Sequence, residues 1–347
     1  MKLSSYKDGS RDGQLVVVSR DLATAHYATG IATRLQQVLD DWNFMSPQLQ
    51  DMSDALNAGR ARHAFPFEPA RCLAPLPRAY QRLVGAAYPN PAEPAGAADG
   101  GDRPSCMRQG ASDALLGARD PIVLADEAQD ADFGAGLAAV TGDVPVGATP
   151  EQGLEAVRLL MLANDVSLRA LAATEAETGP GLLQGVPAAA FSPVAVTPDE
   201  LGAAWQDGRV QLTLQVSWNG RKVGLCETGP EMRWHFGELI AHAARTRRLG
   251  AGTIVGSGIV GNRPVEAGGR REWPRGHGCI ADKRAMEALL DGAPTTDYLR
   301  FGDVVRVEMK GRDGQSVFGA IDQKVASDRP EPVSEGPAGS EAPGDGA

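Results

Sequence analysis

No two cysteines in this chain stand close enough to form a zinc knuckle or a redox pair. Cys72, Cys106, Cys226 and Cys279 are scattered, with no C-x-x-C spacing. That pattern excludes a disulfide framework and points to reduced thiols in a cytoplasmic protein. Histidine occurs only five times. The nearest approach to a metal motif, Arg275-Gly-His277-Gly-Cys279, offers one His and one Cys, too few for zinc. No apolar run is long enough to span a bilayer, and Met1-Lys-Leu-Ser-Ser-Tyr-Lys7 leads into polar residues, not into a signal-peptide core. No membrane partner is expected. Positive charge is in deficit, 34 Lys and Arg against 44 Asp and Glu, for a net charge of −10. Such a balance repels nucleic acid, so no DNA or RNA partner is expected. Internal repeats are absent.

Two familiar glycine patterns also fail on context. Gly134-Ala-Gly136-Leu-Ala-Ala139 fits the G-x-G-x-x-A dinucleotide fingerprint. An acidic loop precedes it and Thr141-Gly142-Asp143 follows at once, leaving no room for the helix that would meet a pyrophosphate. The stretch reads instead as a short strand, Phe133 to Thr141, closed by a Gly-Asp turn. Gly256-Ser257-Gly258 lacks the strand–G-x-S-x-G–helix form of a nucleophile elbow.

Hydrophobic residues make up 42% of the 347 positions, enough for one or two domains with a real core. Leu15 to Val18 reads as a strand. Leu35, Val38, Leu39 and Trp42 stripe a helix, and a second helix is predicted to start near Pro47 and to stop near Gly59. Thr149-Pro150-Glu151-Gln152 is a capping box opening a short helix, followed by an apolar strand, Leu159 to Leu162. Val210 to Trp218 alternates, and Asn219-Gly220 makes a hairpin turn. Phe236, Leu239, Ile240, Ala243 and Ala244 stripe a helix ending at Gly250; its His242 reads as a structural, partly buried histidine. Met286, Leu289 and Leu290 stripe the last helix. Val304 to Met309 and Val317 to Ile321 form the closing hairpin. Without regular βαβ alternation, the class is α+β. Expected boundaries are a small N-terminal α+β domain at 1–75, a Pro/Gly-rich linker at 76–104, a main domain at 105–325 and a disordered tail at 326–347.

Several of these segments resemble the fumarylacetoacetate hydrolase family, in order along the chain. They are Gln109-Gly-Ala-Ser-Asp113 to Asp120, Asp132-Phe133, Thr141-Gly-Asp-Val-Pro145, Asn164-Asp165-Val-Ser-Leu-Arg169, Phe191 to Val196, Gly256-Ser-Gly258 and Arg300-Phe-Gly-Asp303. The resemblance implies a strand-rich mixed β-sandwich roll, association as a homodimer, and hydrolysis or decarboxylation of keto acids with Mg²⁺ or Mn²⁺. In that family the ion sits on a Glu-x-Glu pair in a strand and an Asp further on. Here the pair falls on Gly134 and Gly136, and only Asp165 remains. One carboxylate does not hold Mg²⁺ against its hydration shell, so no metal and no cofactor is expected. Asp165 is then expected to bond backbone amides or Arg169.

The resemblance places further differences around the site. Val186 stands for a usual Lys, Ala189 for a Thr, Ile259 for a Thr, Asp282 for a Glu, and Arg108 for an aromatic. Asp113 is a framework match near a position where other branches carry a catalytic His. Losing ligands and donors at Gly134, Gly136, Val186, Ala189 and Ile259 predicts a roomier, drier pocket for a small apolar or aromatic metabolite. Arg108, Gln109 and Asp113 complete its expected lining. Restoring Glu at 134 and 136 is expected to recover weak Mg²⁺ binding. Three functions compete. The first is a metal-independent enzyme repurposed for decarboxylation, isomerisation or cyclisation, with Asp165, Arg169, Gln184, Asp282 and His277 as polar candidates. The second is a non-catalytic member that binds a ligand or partners an active relative. The third is a conventional hydrolase.

Overall fold

In the computed structural model, the described residues are 1–90, 107–179, 183–268 and 270–328. An 11-stranded mixed sheet runs Phe65–Pro66, Thr24–Tyr27, Gln14–Val18, Lys2–Tyr6, Ala195–Val196, Val157–Asn164, Ala135–Thr141, Ile254–Ile259, Arg82–Val84 and Arg108–Gln109, with Ala190–Phe191 branching from Val157–Asn164. A second, 5-stranded sheet is ordered Arg221–Glu227, Thr213–Trp218, Val304–Met309, Ile321–Ser327 and Ile122–Leu124. The class is α+β, strand-rich with a few helices, as the apolar patterning implied.

Alternation along the long sheet explains why its strands read as continuous apolar runs. Val16 and Val18 enter one core cluster, while Leu15 and Val17 enter another. Leu160 and Leu162 likewise face the first cluster, and Leu159, Met161 and Ala163 the second. Successive side chains on a strand point to opposite faces, so a sheet covered on both sides needs apolar residues at every position. The first cluster also takes Leu214, Val216, Val305 and Val307 from the second sheet. The second takes Leu35, Val38, Leu49 and Leu56 from the two N-terminal helices. Through the pairing of Lys2–Tyr6 with Ala195–Val196, the N-terminal strands continue the main sheet.

Local signals placed most turns and caps. Thr149 and Gln152 form the capping box of the helix Pro150–Glu155, each bonding the other's backbone N–H. Asn219 and Gly220 both take positive φ in the hairpin between Thr213–Trp218 and Arg221–Glu227, as such a two-residue turn requires.

Boundaries differ in several places. The second helix starts at Trp42, not near Pro47, which lies inside it. Asp41, with φ −133° and ψ 54°, separates it from the helix Leu35–Asp40. The helix after His235 ends at Ala243, and Leu249 beside Gly250 instead exchanges backbone hydrogen bonds with Val144. In the last helix, Ile280–Asp291, Met286 is buried, but Leu289 and Leu290 are exposed by about half. The closing strand spans Ile321–Ser327, later than Val317 to Ile321. It pairs in parallel with Ile122–Leu124, so Ala326 and Ser327 belong to the fold, not to a tail. The expected linker contains an interior strand, Arg82–Val84, parallel to Ile254–Ile259. The Gly/Ala/Pro-rich part of that linker, 91–104, the two residues after it and the tail from 329 lie outside the described residues.

Candidate functional site

Gly136, Ala138 and Val140 share one face of the strand Ala135–Thr141, and Gly134 precedes it at the same periodicity. Both glycines are closed over by neighbouring backbone. A Cβ on Gly134 would run into the carbonyl oxygen of Asp165 and lie 3.2 Å from Ile259 Cγ1. A Cβ on Gly136 would run into the carbonyl of Gly258. The approach on the Gly134 side is fixed by hydrogen bonds: Gly134 N donates to Asn164 Oδ1 at 2.9 Å, and Asp165 N donates to Gly134 O at 2.8 Å. Asn164 is itself held, donating from Nδ2 to Gln323 Oε1 at 3.0 Å. The space expected to open above the glycines is therefore filled by main chain. Val186 and Ala189, 7% and 1% exposed, pack into the interior. Among the described residues, the strand face at Gly134 and Gly136, expected to open into an apolar pocket with Val186, Ala189 and Ile259, is closed over by backbone.

Charge occupies the neighbouring space. Asp165, 6% exposed, forms an ion pair with Arg82, 3% exposed. Arg82 opens the strand Arg82–Val84, and its guanidinium carbon lies 6.0 Å from the centre of the Phe191 ring. Gly110 donates its backbone N–H to Arg82 O at 3.0 Å, and its missing side chain leaves room for the Arg82 guanidinium. Burial, and then the nearby Arg108, hold Arg82 down to about 10, still protonated at neutral pH. Arg108 sits across from Val84 in the adjoining strand, so Arg82 and Arg108 are diagonal neighbours on one face. Arg108 is likewise lowered by burial and then by Arg169, and its Nη1 is sealed from solvent without a hydrogen-bond partner.

Arg169 does not bond Asp165, as the sequence had suggested. Its Nε and Nη2 donate to Asp132 Oδ2 at 3.0 and 2.8 Å. Asp132 is fully buried and also accepts from the backbone N–H groups of Ile280 and Ala281, at 2.6 and 3.0 Å. It thereby caps the helix Ile280–Asp291, where a carboxylate is favoured. Asp282 lies in the first turn of that helix, and burial is the main cause pushing its carboxyl up to about 6.

His277 occupies a third place. Its ring stacks with Phe133 and Trp273, with centroids 6.2 and 5.9 Å away. Nε2 is buried without a partner, and burial followed by Lys283 pushes the imidazole down to about 4. A cavity of about 550 Å³ opens beside it, lined in part by Trp218, Val223 and Lys283.

The fold thus gathers Asp165, Arg108 and Arg169 around Arg82 and Asp132, with Asp282 adjoining through Arg169. Gln109, Asp113 and Gln184 are exposed. The Gln184 backbone N–H, with those of Leu183 and Gly185, donates to the Glu175 carboxylate. Arg82 was missed in the sequence because it falls in the stretch read as linker. The only local sign was a charged residue beginning the short apolar run Arg82-Leu-Val84.

A divalent ion of the kind the resemblance implies does not fit these residues. Gly134 and Gly136 carry no side-chain donor, and the one matching carboxylate, Asp165, is engaged by a guanidinium. Among the described residues no three His, Cys, Asp or Glu side chains are grouped to hold a metal.

Sequence comparison gives the class to which this fold belongs. Residues 1–78 match the family model described as Fumarylacetoacetase N-terminal domain 2. Residues 82–326 match Fumarylacetoacetate (FAA) hydrolase C-terminal, so the chain belongs to the fumarylacetoacetate hydrolase family. Among solved structures, it is similar to a fumarylacetoacetate hydrolase from Exiguobacterium antarcticum, at 20% identity and TM-score 0.64 over 94% of this chain and 99% of that one. It is similar also to a maleylpyruvate hydrolase from Sphingobium sp. SYK-6, at 15% identity and TM-score 0.62 over 94% and 100%. A 2-hydroxyhepta-2,4-diene-1,7-dioate isomerase from Mycobacterium marinum aligns at 16% identity and TM-score 0.57 over 94% and 99%. No curated protein matches the chain in sequence.

Proposed function

We propose that this member of the family is an enzyme that works without a divalent ion, with the Arg82 guanidinium supplying positive charge beside Asp165. The observation that carries this reading is the buried Arg82–Asp165 ion pair, in which the one remaining carboxylate expected to ligate is held by a guanidinium next to Gly134. Without a metal to activate water, the chemistry that fits is proton transfer within a substrate, or decarboxylation. Asp165, committed to Arg82, is a positioning residue. Asp282, with a carboxyl near 6, is the group suited to carry a proton near neutrality. A second reading, a ligand-binding protein without turnover, is favoured by one feature: Asp132 and Asp165 are both already engaged by arginines.

The test uses the full chain treated with excess EDTA and 2-hydroxyhepta-2,4-diene-1,7-dioate, the compound in the name of one structural relative. Its conjugated system is followed by ultraviolet absorbance. Isomerisation that persists in EDTA and is lost in Arg82→Met supports the enzyme. Binding without spectral change supports the second reading. Turnover that appears only with added Mg²⁺ or Mn²⁺ overturns both.

A further inference from the structure

We infer that Arg108 is the receptor for a carboxylate group of the ligand, bound beside the Arg82–Asp165 pair. The inference rests on the proposed function only in placing the ligand at this site. Three guanidinium groups, Arg82, Arg108 and Arg169, meet here against two committed carboxylates. Asp165 is matched to Arg82, and both side chains are almost wholly buried. Asp132 is matched to Arg169 and to two helix N–H groups. Arg108 makes no ion pair among the described residues, and its Nη1 is sealed from water with its hydrogens unshared.

Buried charges are paired, because an uncompensated one is costly to keep out of water. A guanidinium keeps its charge where a lysine would shed it, so Arg108 does not escape by deprotonation. The charge therefore calls for an anion from outside. A carboxylate suits it better than a spherical ion, since its two oxygens match the planar fork of a guanidinium. Arg108 lies in the last strand of the long sheet and is only partly buried as a residue, which gives a small acid a way in. The same placement reverses the expectation of an apolar ligand: Arg82 and Arg108 share one face, and that face favours an acid.

Thermal melting of the full chain at constant ionic strength tests this, with sodium pyruvate and sodium succinate as probes and pyruvamide and succinamide as neutral controls. The acids should raise the melting temperature and the amides should not. Arg108→Met should weaken acid binding by about tenfold or more, yet melt no lower than the parent, because it removes an unpaired buried charge. Arg108→Lys should fold and keep a weaker response. An undiminished acid response in Arg108→Met overturns the inference. So does an equal response to sulfate, or a Met variant that melts well below the parent, since Arg108 would then already be paired. A metal requirement for turnover would defeat the proposed function while leaving an Arg108-dependent acid response intact, so the two failures are distinguishable.

Discussion

Arg82 and Asp165 meet as a buried ion pair from strands that are not neighbours in the sheet. Arg82 begins a strand parallel to Ile254–Ile259, while Asp165 follows a strand on the far side of Ala135–Thr141. Removing one partner leaves the other charged and buried. Asp165→Ala should lower stability by about 3–5 kcal/mol, whereas Arg82→Met with Asp165→Leu should cost far less than the sum of the single changes. Urea melts of the four proteins check this. Additive losses would mean that the pair does not interact.

Glutamates introduced at 134 and 136 should not be accommodated. The expectation that Gly134→Glu with Gly136→Glu recovers Mg²⁺ binding assumed open space above the strand. The carbonyls of Asp165 and Gly258 occupy the positions that the new Cβ atoms need. Each change should cost about 1–3 kcal/mol or more by overpacking. Denaturation midpoints and metal analysis of parent and variant are the measurements. A variant as stable as the parent, with stoichiometric Mg²⁺ or Mn²⁺, would contradict the packing.

His277 predicts an acid-side loss of stability. Its imidazole is lowered from 6.5 to about 4, so between those values the unfolded chain binds a proton that the folded chain refuses. Stability therefore falls as pH drops from about 6.5 to 4, by at most about 3 kcal/mol, and no penalty remains above that window. Lys283 adds to the shift and Glu287 opposes it. Carboxylates titrate in the same range, so the test compares parent with His277→Phe, which keeps the stack against Phe133 and Trp273. The variant should lose less stability between pH 6.5 and 4. Parallel curves would show that His277 is not held neutral.

Homodimerisation is expected in solution. Leu289, Leu290 and Phe301 are exposed by 48%, 50% and 41%, and a stable interface would cover on the order of 1,600 Å². Light scattering at micromolar concentration should give twice the chain mass; a monomer there would count against it.

What the sequence determined by itself was local. Thr149 and Gln152 specify a cap because their side chains bond N–H groups three residues away, and Asn219-Gly220 specifies a hairpin because both tolerate positive φ. The apolar runs at Leu15–Val18 and Leu159–Leu162 announce covered strands, since both sheet faces demand apolar side chains. The tertiary structure decided everything that depends on what stands opposite. It placed Arg82, not Arg169, against Asp165. It closed the glycines with backbone carbonyls, and it left Gln109, Asp113 and Gln184 at the surface. It also buried Arg108 Nη1 without a partner. Those outcomes are set by strand order and register between segments remote in the chain, and a side chain's type does not encode which remote segment it will face.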